Sequence, residues 1–188
     1  TSPGDIWFVN VNGDDVINDF DRTVIGNPQP DFIFGFNNQF GYKNFDLSIF
    51  FQGSYGNDIW NGVRVSHEGM ESTYNQFTST LNRWNGEGSS NTMPRAIYAD
   101  PNRNNRASTR WVEDGSYLRL KNLTFGYRFT QDWLKKIGAK SLRLYLSFDN
   151  LWTLTNYSGL DPEVGLWGLD YGIYPTSRVY MFGASVKF

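Results

Sequence analysis

Five segments of the sequence carry an apolar residue at nearly every second position, which is the period of a β-strand with one apolar face. No charged residue interrupts any of these apolar faces. Leu118 and Leu120 are out of phase with the apolar residues that follow them, and a β-bulge near Lys121 would bring them onto the same face. The segments predict an all-β fold with about five antiparallel strands, at residues 31–40, 45–55, 117–129, 141–150 and 178–188.

Two environments accept such faces, and the connections between the strands distinguish them. A soluble β-sandwich turns its apolar faces toward a shared core, whereas an outer-membrane barrel turns them toward lipid. The successive connections have four, about sixty, eleven and twenty-six residues, so short and long alternate. Membrane barrels alternate short periplasmic turns with long extracellular loops in this way. This alternation of short and long connections favours a barrel. In that topology four aromatic residues lie in one girdle at the periplasmic end: Phe40, Phe45, Phe129 and Phe188.

The amino-acid composition narrows the classes of protein to which the chain can belong. Aromatic residues make up 18% of the chain and there are 19 glycines, which suits strands joined by turns. A net charge of −2 gives no polybasic surface for nucleic acid, and the lack of cysteine excludes a thiolate metal site. Because even a small barrel needs about eight strands, five strands predict the C-terminal piece of a longer protein.

Blocks of sequence in the same order resemble the C-terminal end of SusC/RagA-type TonB-dependent outer-membrane transporters. They are residues 4–61, which begin GDIWFVNVNGDDVINDFD, the stretches WVEDGSYLRLKNLTFGY at 111–127 and LYLSFDNLWTLTNYSGLDPEV at 144–164, and the terminal aromatic strand. The resemblance is weakest over residues 63–110. It implies a barrel of about 22 strands in the cell outer membrane, with an N-terminal plug domain that is absent here. Residues 1–30 would then form an extracellular loop, and residues 31–188 the last five strands with their loops.

The same resemblance implies a function and a set of partners. The function is import of oligosaccharides or peptides, with this chain forming the closing wall of the barrel and two loops of the substrate chamber. The implied partners are a SusD-like surface lipoprotein, the TonB complex acting through the missing N-terminal part, the rest of the barrel and outer-membrane lipid. No catalytic grouping surrounds His67, the only histidine, so no enzyme is predicted. The alternative function is a secreted, calcium-stabilised β-sandwich that binds glycan without transport.

Residues 10–21, NVNGDDVINDFD, match the spacing of an EF-hand-like calcium loop. The loop has Asp15 at its sixth position where glycine is usual, and its first ligand is an uncharged asparagine. The sequence leaves two interpretations open, a Ca²⁺ site or a loop stabilised by Asx turns. Positions one, three, five, seven, nine and twelve are held by Asn10, Asn12, Asp14, the Val16 carbonyl, Asn18 and Asp21.

Four tryptophans fall in the two long connections of this topology, where substrate would arrive. They are predicted to contact sugars or peptides, and the alternative is that they pack the loops together or contact the lipoprotein. The residues are Trp60, Trp84, Trp152 and Trp167.

The chain ends on an aromatic strand that resembles the signal by which outer-membrane proteins are recognised for assembly. The matching residues are Phe182, Val186 and Phe188. The alternative is that Phe188 is only one more aromatic residue of the girdle.

Overall fold

The computed structural model describes residues 1–130 and 132–188. The β-strands are β1 (Phe32–Tyr42), β2 (Phe45–Tyr55), β3 (Asp58–Asn61), β4 (Val112–Asp114), β5 (Tyr117–Phe129), β6 (Ser141–Thr155), β7 (Leu169–Asp170) and β8 (Val179–Lys187). The α-helices are α1 (Gly62–Glu68) and α2 (Asp132–Lys136). Among the described residues, no helix has both the length and the apolar character needed to cross a membrane.

The five predicted strands form one antiparallel sheet in the order β1-β2-β5-β6-β8, each paired with the next along the sequence. The predicted all-β antiparallel fold is therefore confirmed. Strands β2 and β5 have the predicted bounds. Strand β1 continues to Tyr42, so the first turn consists only of Lys43 and Asn44. Lys43 has a φ of 52°, a left-handed conformation of the kind that tight hairpin turns require.

Strand β6 is longer than the sequence predicted, because it continues past Asn150 to Thr155. Asn150 has a φ of 52°, a conformation that asparagine tolerates better than most residues. The pairing of β6 with β5 is irregular at this point and then resumes. The asparagine therefore lies within the strand, and the long connection to β8 begins only after Thr155.

Lys121 forms the predicted bulge. Phe50 pairs with Asn122 while Phe51 pairs with Leu120, so Lys121 has no partner residue on β2. The extra residue shifts the alternation of β5 by one position. As a result, the leucines that precede the bulge lie on the same face of the sheet as Phe51.

The described chain divides into two compact units. The sheet unit consists of Gln29–Asn57, Asp114–Glu163 and Tyr174–Phe188. The connection unit consists of Thr1–Pro28, Asp58–Glu113 and Val164–Ile173. The shorter strands form a sheet of order β4-β3-β7, in which β3 and β7 run parallel. The connections that the sequence treated as loops thus contain strands and a helix of their own.

Candidate functional site

One face of the main sheet is a charge-free apolar surface, here called the apolar belt. Several of its large side chains are exposed, Phe40, Phe125 and Phe182 among them, and the others are half-buried. The belt consists of three rows of register partners across the five strands. They are Tyr42, Phe45, Tyr127, Leu144 and Ala184; Phe40, Leu47, Phe125, Leu146 and Phe182; and Asn38, Ile49, Leu123, Phe148 and Tyr180.

The opposite face of the sheet carries a network of hydrogen-bonded polar side chains. The Asn122 side-chain amide donates to Asp149 Oδ1 at 2.7 Å and to Ser147 Oγ at 3.1 Å. The Thr124 hydroxyl lies 2.8 Å from Ser147 Oγ and donates to Asn122 Oδ1 at 3.1 Å. One face of these strands therefore suits contact with lipid, and the opposite face suits contact with water.

An ion pair crosses a whole strand on this polar face. Arg143 on β6 donates from Nε to Asp46 Oδ1 on β2, at 2.9 Å. Gly126 on β5 lies between them, and a Cβ at this position would approach the Asp46 carboxylate oxygens to 2.6 Å. The glycine thus leaves the space in which the two charges meet.

A second charged cluster fastens the connection between β6 and β8 to the sheet. Arg119 on β5 is buried, and it donates to the carboxylates of Asp161 and Glu163 and to Thr153 Oγ1. The distance from Arg119 Nη1 to Glu163 Oε2 is 2.7 Å. Asp161 also accepts the backbone N–H of Glu163 and of Thr176. This cluster, here called the Arg119 clamp, fixes both ends of the connection that lie in the sheet unit.

The clamp determines the charge state of Asp161. Burial raises the pKa of this carboxyl, but the N–H donors of Thr176 and Glu163 and the Arg119 guanidinium outweigh burial, so its pKa lies below the ordinary 3.8. Asp161 is therefore ionised at neutral pH. Sequence reasoning missed the clamp, and its only signal was an arginine between two leucines of β5.

The connection unit has a core of its own around Trp111, which is fully buried. The guanidinium groups of Arg64 and Arg110 lie 5.7 and 4.2 Å from the centre of its ring system. Arg64 donates to Glu113 at 2.8 Å and to Glu68 at 2.9 Å. Burial lowers the pKa of Arg110 to about 10, although the nearby Glu68 favours the charged form. Packing and charge together order a segment that the sequence showed only as an irregular loop.

The predicted position of Trp152 is wrong. This residue lies on β6, where it pairs with Leu120, and not in a long connection. It therefore continues the apolar face beyond the belt and does not lie in a loop. Asn150 concealed this continuation of the strand, because it places a polar residue at an apolar position of the alternation, although Trp152 keeps the phase of Phe148.

The other three tryptophans lie in the connection unit, in different surroundings. Trp60 is on β3 and pairs with Leu169. The indole of Trp84 covers Gly4, where a Cβ would come within 2.4 Å of the ring. Trp167 is exposed at a turn. The position of Trp84 favours the interpretation that the tryptophans pack the loops together. The first residues of the chain are held beside Trp84 by an ion pair in which Arg95 Nε lies 2.8 Å from Asp5 Oδ1.

Residues 10–21 form a loop organised by side-chain to backbone hydrogen bonds. Asp14 Oδ1 accepts the N–H of Val16 at 3.0 Å, and the hydrogen bonds made by Asp14 lower the pKa of this exposed carboxyl. Asp21 accepts the N–H groups of Val11 and Asn18, both at 2.8 Å. Such bonds are the Asx pattern that was the alternative to a metal site. The sixth position, Asp15, has a φ of 63°, which is the backbone conformation that favours glycine.

The candidate ligand atoms of this loop are of the type that a hard cation binds, because all are carboxylate, amide or carbonyl oxygens. Among the described residues, no group of three or more His, Cys, Asp or Glu side chains is placed to hold a metal. Any ion in this loop would therefore depend on the asparagine amides as well as on Asp14 and Asp21.

The residues of the predicted assembly signal lie at the end of the sheet. Phe182 and Val186 are on β8 and pair with Leu146 and Leu142 of β6. Phe188 follows β8 with an exposed side chain, and Lys140 Nζ donates to its main-chain oxygen at 3.1 Å.

Comparison with known proteins gives relatives over the whole chain, although no protein-family model matches it. The sequence is 39% identical to TonB-dependent receptor P3 of Formosa agariphila, over 100% of this chain and 19% of the relative. It is 29% identical to TonB-dependent receptor SusC of Bacteroides thetaiotaomicron, over 99% of this chain and 18% of the relative. The fold is similar to the RagAB peptide importer in its closed-closed state, with a TM-score of 0.77 and 26% identity over 88% of this chain and 18% of that chain.

The main sheet has one lipid-compatible face and one polar face, and the chain is similar to these proteins in sequence and in fold. These features define its class, a segment of a TonB-dependent barrel transporter of the outer membrane. The chain belongs to the SusC/RagA type of these transporters, and it spans about a fifth of the length of the relatives described. The relatives are receptors and transporters, so the prediction that the chain is not an enzyme is confirmed.

Proposed function

We propose that this chain forms part of the wall of a transporter that imports oligosaccharides or peptides across the outer membrane, in a barrel of about 22 strands. The observation that carries the proposal is the apolar belt together with the polar network on the reverse of the same strands. A β-sandwich would bury the belt against a second sheet, whereas Phe40, Phe125 and Leu146 are exposed. In a barrel, lipid covers the belt and the polar network faces the lumen.

The proposed partners contact the connections of this chain and also parts of the transporter that lie outside this chain. We infer a SusD-like surface lipoprotein as a lid and the TonB complex as the source of energy, since the relatives are named TonB-dependent receptors, SusC among them, and RagAB. Trp60 and Trp167 of the connection unit are the candidate residues for contact with substrate, whereas Trp84, which covers Gly4, is assigned to packing.

Deletion of the gene for the complete transporter in its host tests this function. We expect loss of uptake of one class of fluorescently labelled substrate, oligosaccharide or peptide, and the same loss when TonB is removed. Restoring the gene on a plasmid is the control. Unchanged uptake of both classes in the deletion strain would refute import as the function.

We also propose that residues 10–21 bind Ca²⁺ with an affinity of the order of 10⁻⁴ to 10⁻³ M, as extracellular modules do. The support is the spacing of the oxygen donors and the left-handed conformation of Asp15. Titration calorimetry on the complete transporter should detect one site that Asp14→Ala abolishes. Asp19→Ala is the matched control, because Asp19 is an exposed acid of the same loop that pairs with Arg22 and lies outside the ligand spacing. Equal calcium binding by the two variants would leave only the Asx-turn interpretation.

A further inference from the structure

Three places in the chain have an asparagine followed directly by a glycine, a sequence that is prone to spontaneous loss of the side-chain amide. They are Asn12-Gly13, Asn61-Gly62 and Asn85-Gly86. In this reaction the backbone nitrogen of the glycine attacks Cγ of the asparagine. Glycine permits the attack because it has no side chain and reaches conformations that are closed to other residues. The structure distinguishes the three places, since hydrogen bonds within the chain occupy the reacting groups at two of them.

The reacting groups at Asn61 are held in place. Asn61 caps helix α1, where its Oδ1 accepts the N–H of Arg64 at 3.0 Å. Its Nδ2 donates to Glu113 Oε1 at 3.1 Å, and the residue is only 1% exposed. Gly62 packs so tightly that an added Cβ would lie 2.5 Å from the ring of Tyr171. A buried carboxamide that is bonded at both ends cannot turn its Cγ toward the next backbone nitrogen.

At Asn12 the glycine nitrogen itself is occupied. The N–H of Gly13 donates to Asn10 Oδ1 at 2.6 Å. The Asn12 carboxamide donates from Nδ2 to Asp14 Oδ2 at 2.9 Å, and its Oδ1 accepts the N–H of Asp14 at 3.1 Å. Attack at this place first requires these bonds to open, which slows the reaction.

At Asn85 the turn is anchored through other atoms. Ser89 Oγ accepts the N–H of Asn85 at 2.9 Å, and the Gly86 carbonyl accepts the N–H of Ser89 at 3.1 Å. Among the described residues, no hydrogen bond involves the Asn85 carboxamide or the Gly86 N–H. Gly86 has a φ of 153°, and a Cβ added to it would meet nothing within 4 Å. These anchors keep the turn while they leave both reacting groups unoccupied.

We propose that Asn85 is a site of spontaneous deamidation in the folded transporter. The Gly86 nitrogen bonds to Asn85 Cγ, the bond from Cγ to Nδ2 breaks, and the amide group leaves as ammonia with the proton of the Gly86 nitrogen. Water then adds to one of the two carbonyl carbons of the cyclic imide, which gives aspartate or isoaspartate, and nothing is oxidised or reduced. The reaction requires no partner, since the chain and water supply every atom.

The products change the charge and the backbone beside Trp84. Both products carry a new carboxylate, and isoaspartate also adds one carbon to the main chain. Trp84 donates its N–H to the Met93 carbonyl at 3.1 Å, and its indole covers Gly4. The modification therefore falls directly after a residue that packs the connection unit.

Peptide mapping of the complete transporter tests the site. The purified protein is incubated in detergent at mildly alkaline pH in heavy-oxygen water, which labels each newly deamidated residue, and is then digested in ordinary water for mass spectrometry. Label should accumulate at Asn85 several-fold faster than at Asn12, and Asn61 should stay unlabelled. Transporter that is denatured before the incubation is the control, and in it the three positions should react at similar rates. Equal labelling of the three positions in the folded transporter, or no label at Asn85 while the denatured protein reacts, would overturn the proposal.

Two variants test the physical reason for this order. Asn85→Gln should abolish the label at this position, because the longer side chain forms a cyclic imide far more slowly. Asn10→Ala removes the acceptor of the Gly13 N–H and should bring the rate at Asn12 toward that at Asn85. An unchanged rate at Asn12 in the Asn10→Ala variant would overturn hydrogen bonding as the cause of protection.

Discussion

Leu146 and Met181 lie side by side at the same level of the main sheet and point to opposite faces. Leu146 pairs with Phe182, Met181 pairs with Ser147, and their exposed fractions are 45% and 43%. Leu146→Arg places a charge in the apolar belt and should cost about 2–4 kcal/mol, whereas Met181→Arg places it on the polar face and should be tolerated. Unfolding of the complete transporter by denaturant in lipid vesicles measures both. Equal losses of stability at the two positions would contradict a lipid-facing belt.

The order of the connection between β6 and β8 is expected to depend on the charge of one carboxyl group, that of Asp161. Because its folded pKa is lowered below 3.8, the Arg119 clamp contributes stability that is complete above about pH 4 and is lost as the pH falls through the folded pKa. Hydrogen exchange of residues 156–163 in the complete transporter should therefore accelerate below about pH 3.5 relative to residues of the sheet. Asp161→Asn should produce faster exchange already at pH 7, and the protection of these amides relative to their intrinsic exchange rates should no longer fall over the acid range. An acid response of the same size in this variant would show that another group is responsible.

At the scale of one element, the bulge at Lys121 decides which face of β5 each residue occupies. Deletion of Lys121 removes the extra residue, so β5 should pair regularly with β2 while Arg119 stays on the polar face and the preceding leucines stay on the face of the belt. We therefore expect heat-modifiable, membrane-inserted transporter from this variant. Lys121→Ala keeps the bulge and loses only the 3.4 Å contact with Glu163, so its effect should stay within about 0.5 kcal/mol. Loss of the inserted form in the deletion variant would contradict the assignment of Lys121 as the single extra residue of the bulge.

Strand β6 shows why the ends of an element are harder to predict than its existence. Its first ten residues alternate and were predicted, but Asn150 places a polar residue at an apolar position of the alternation, and Trp152 then appeared to belong to a loop. Trp152 and Leu154 keep the phase of Phe148, and they pair with Leu120 and Leu118 of β5. A single polar residue on the apolar face thus resembles the end of a strand that in fact continues.

At the scale of the whole molecule, assembly into the membrane is proposed to depend on Phe188, the aromatic residue that follows β8. Deletion of Phe188 from the complete transporter should sharply reduce the heat-modifiable, inserted form, because it removes an aromatic residue of the proposed assembly signal. Phe40→Ala removes an exposed aromatic residue of the belt and leaves Phe188 in place, so inserted protein should fall only slightly. Quantitative immunoblotting of outer membranes provides the measurement. The same level of inserted protein for both variants would make Phe188 an anchor and no more.

The sequence by itself determined the five strands of the main sheet, the bulge and the charge-free face. These properties are local, because alternation of side chains follows from backbone geometry, whereas the pairing of strands that are joined by long connections is not local. The blocks of sequence around the strands also identified the type of transporter, which the relatives confirm.

Only the tertiary structure decided how the connections are built and which residues meet there. Arg119 and Asp161 are 42 positions apart, and Asp5 and Arg95 are 90 apart. No period in the sequence relates such pairs, since their contact depends on the path of irregular backbone that packing, buried charge and hydrogen bonds select together.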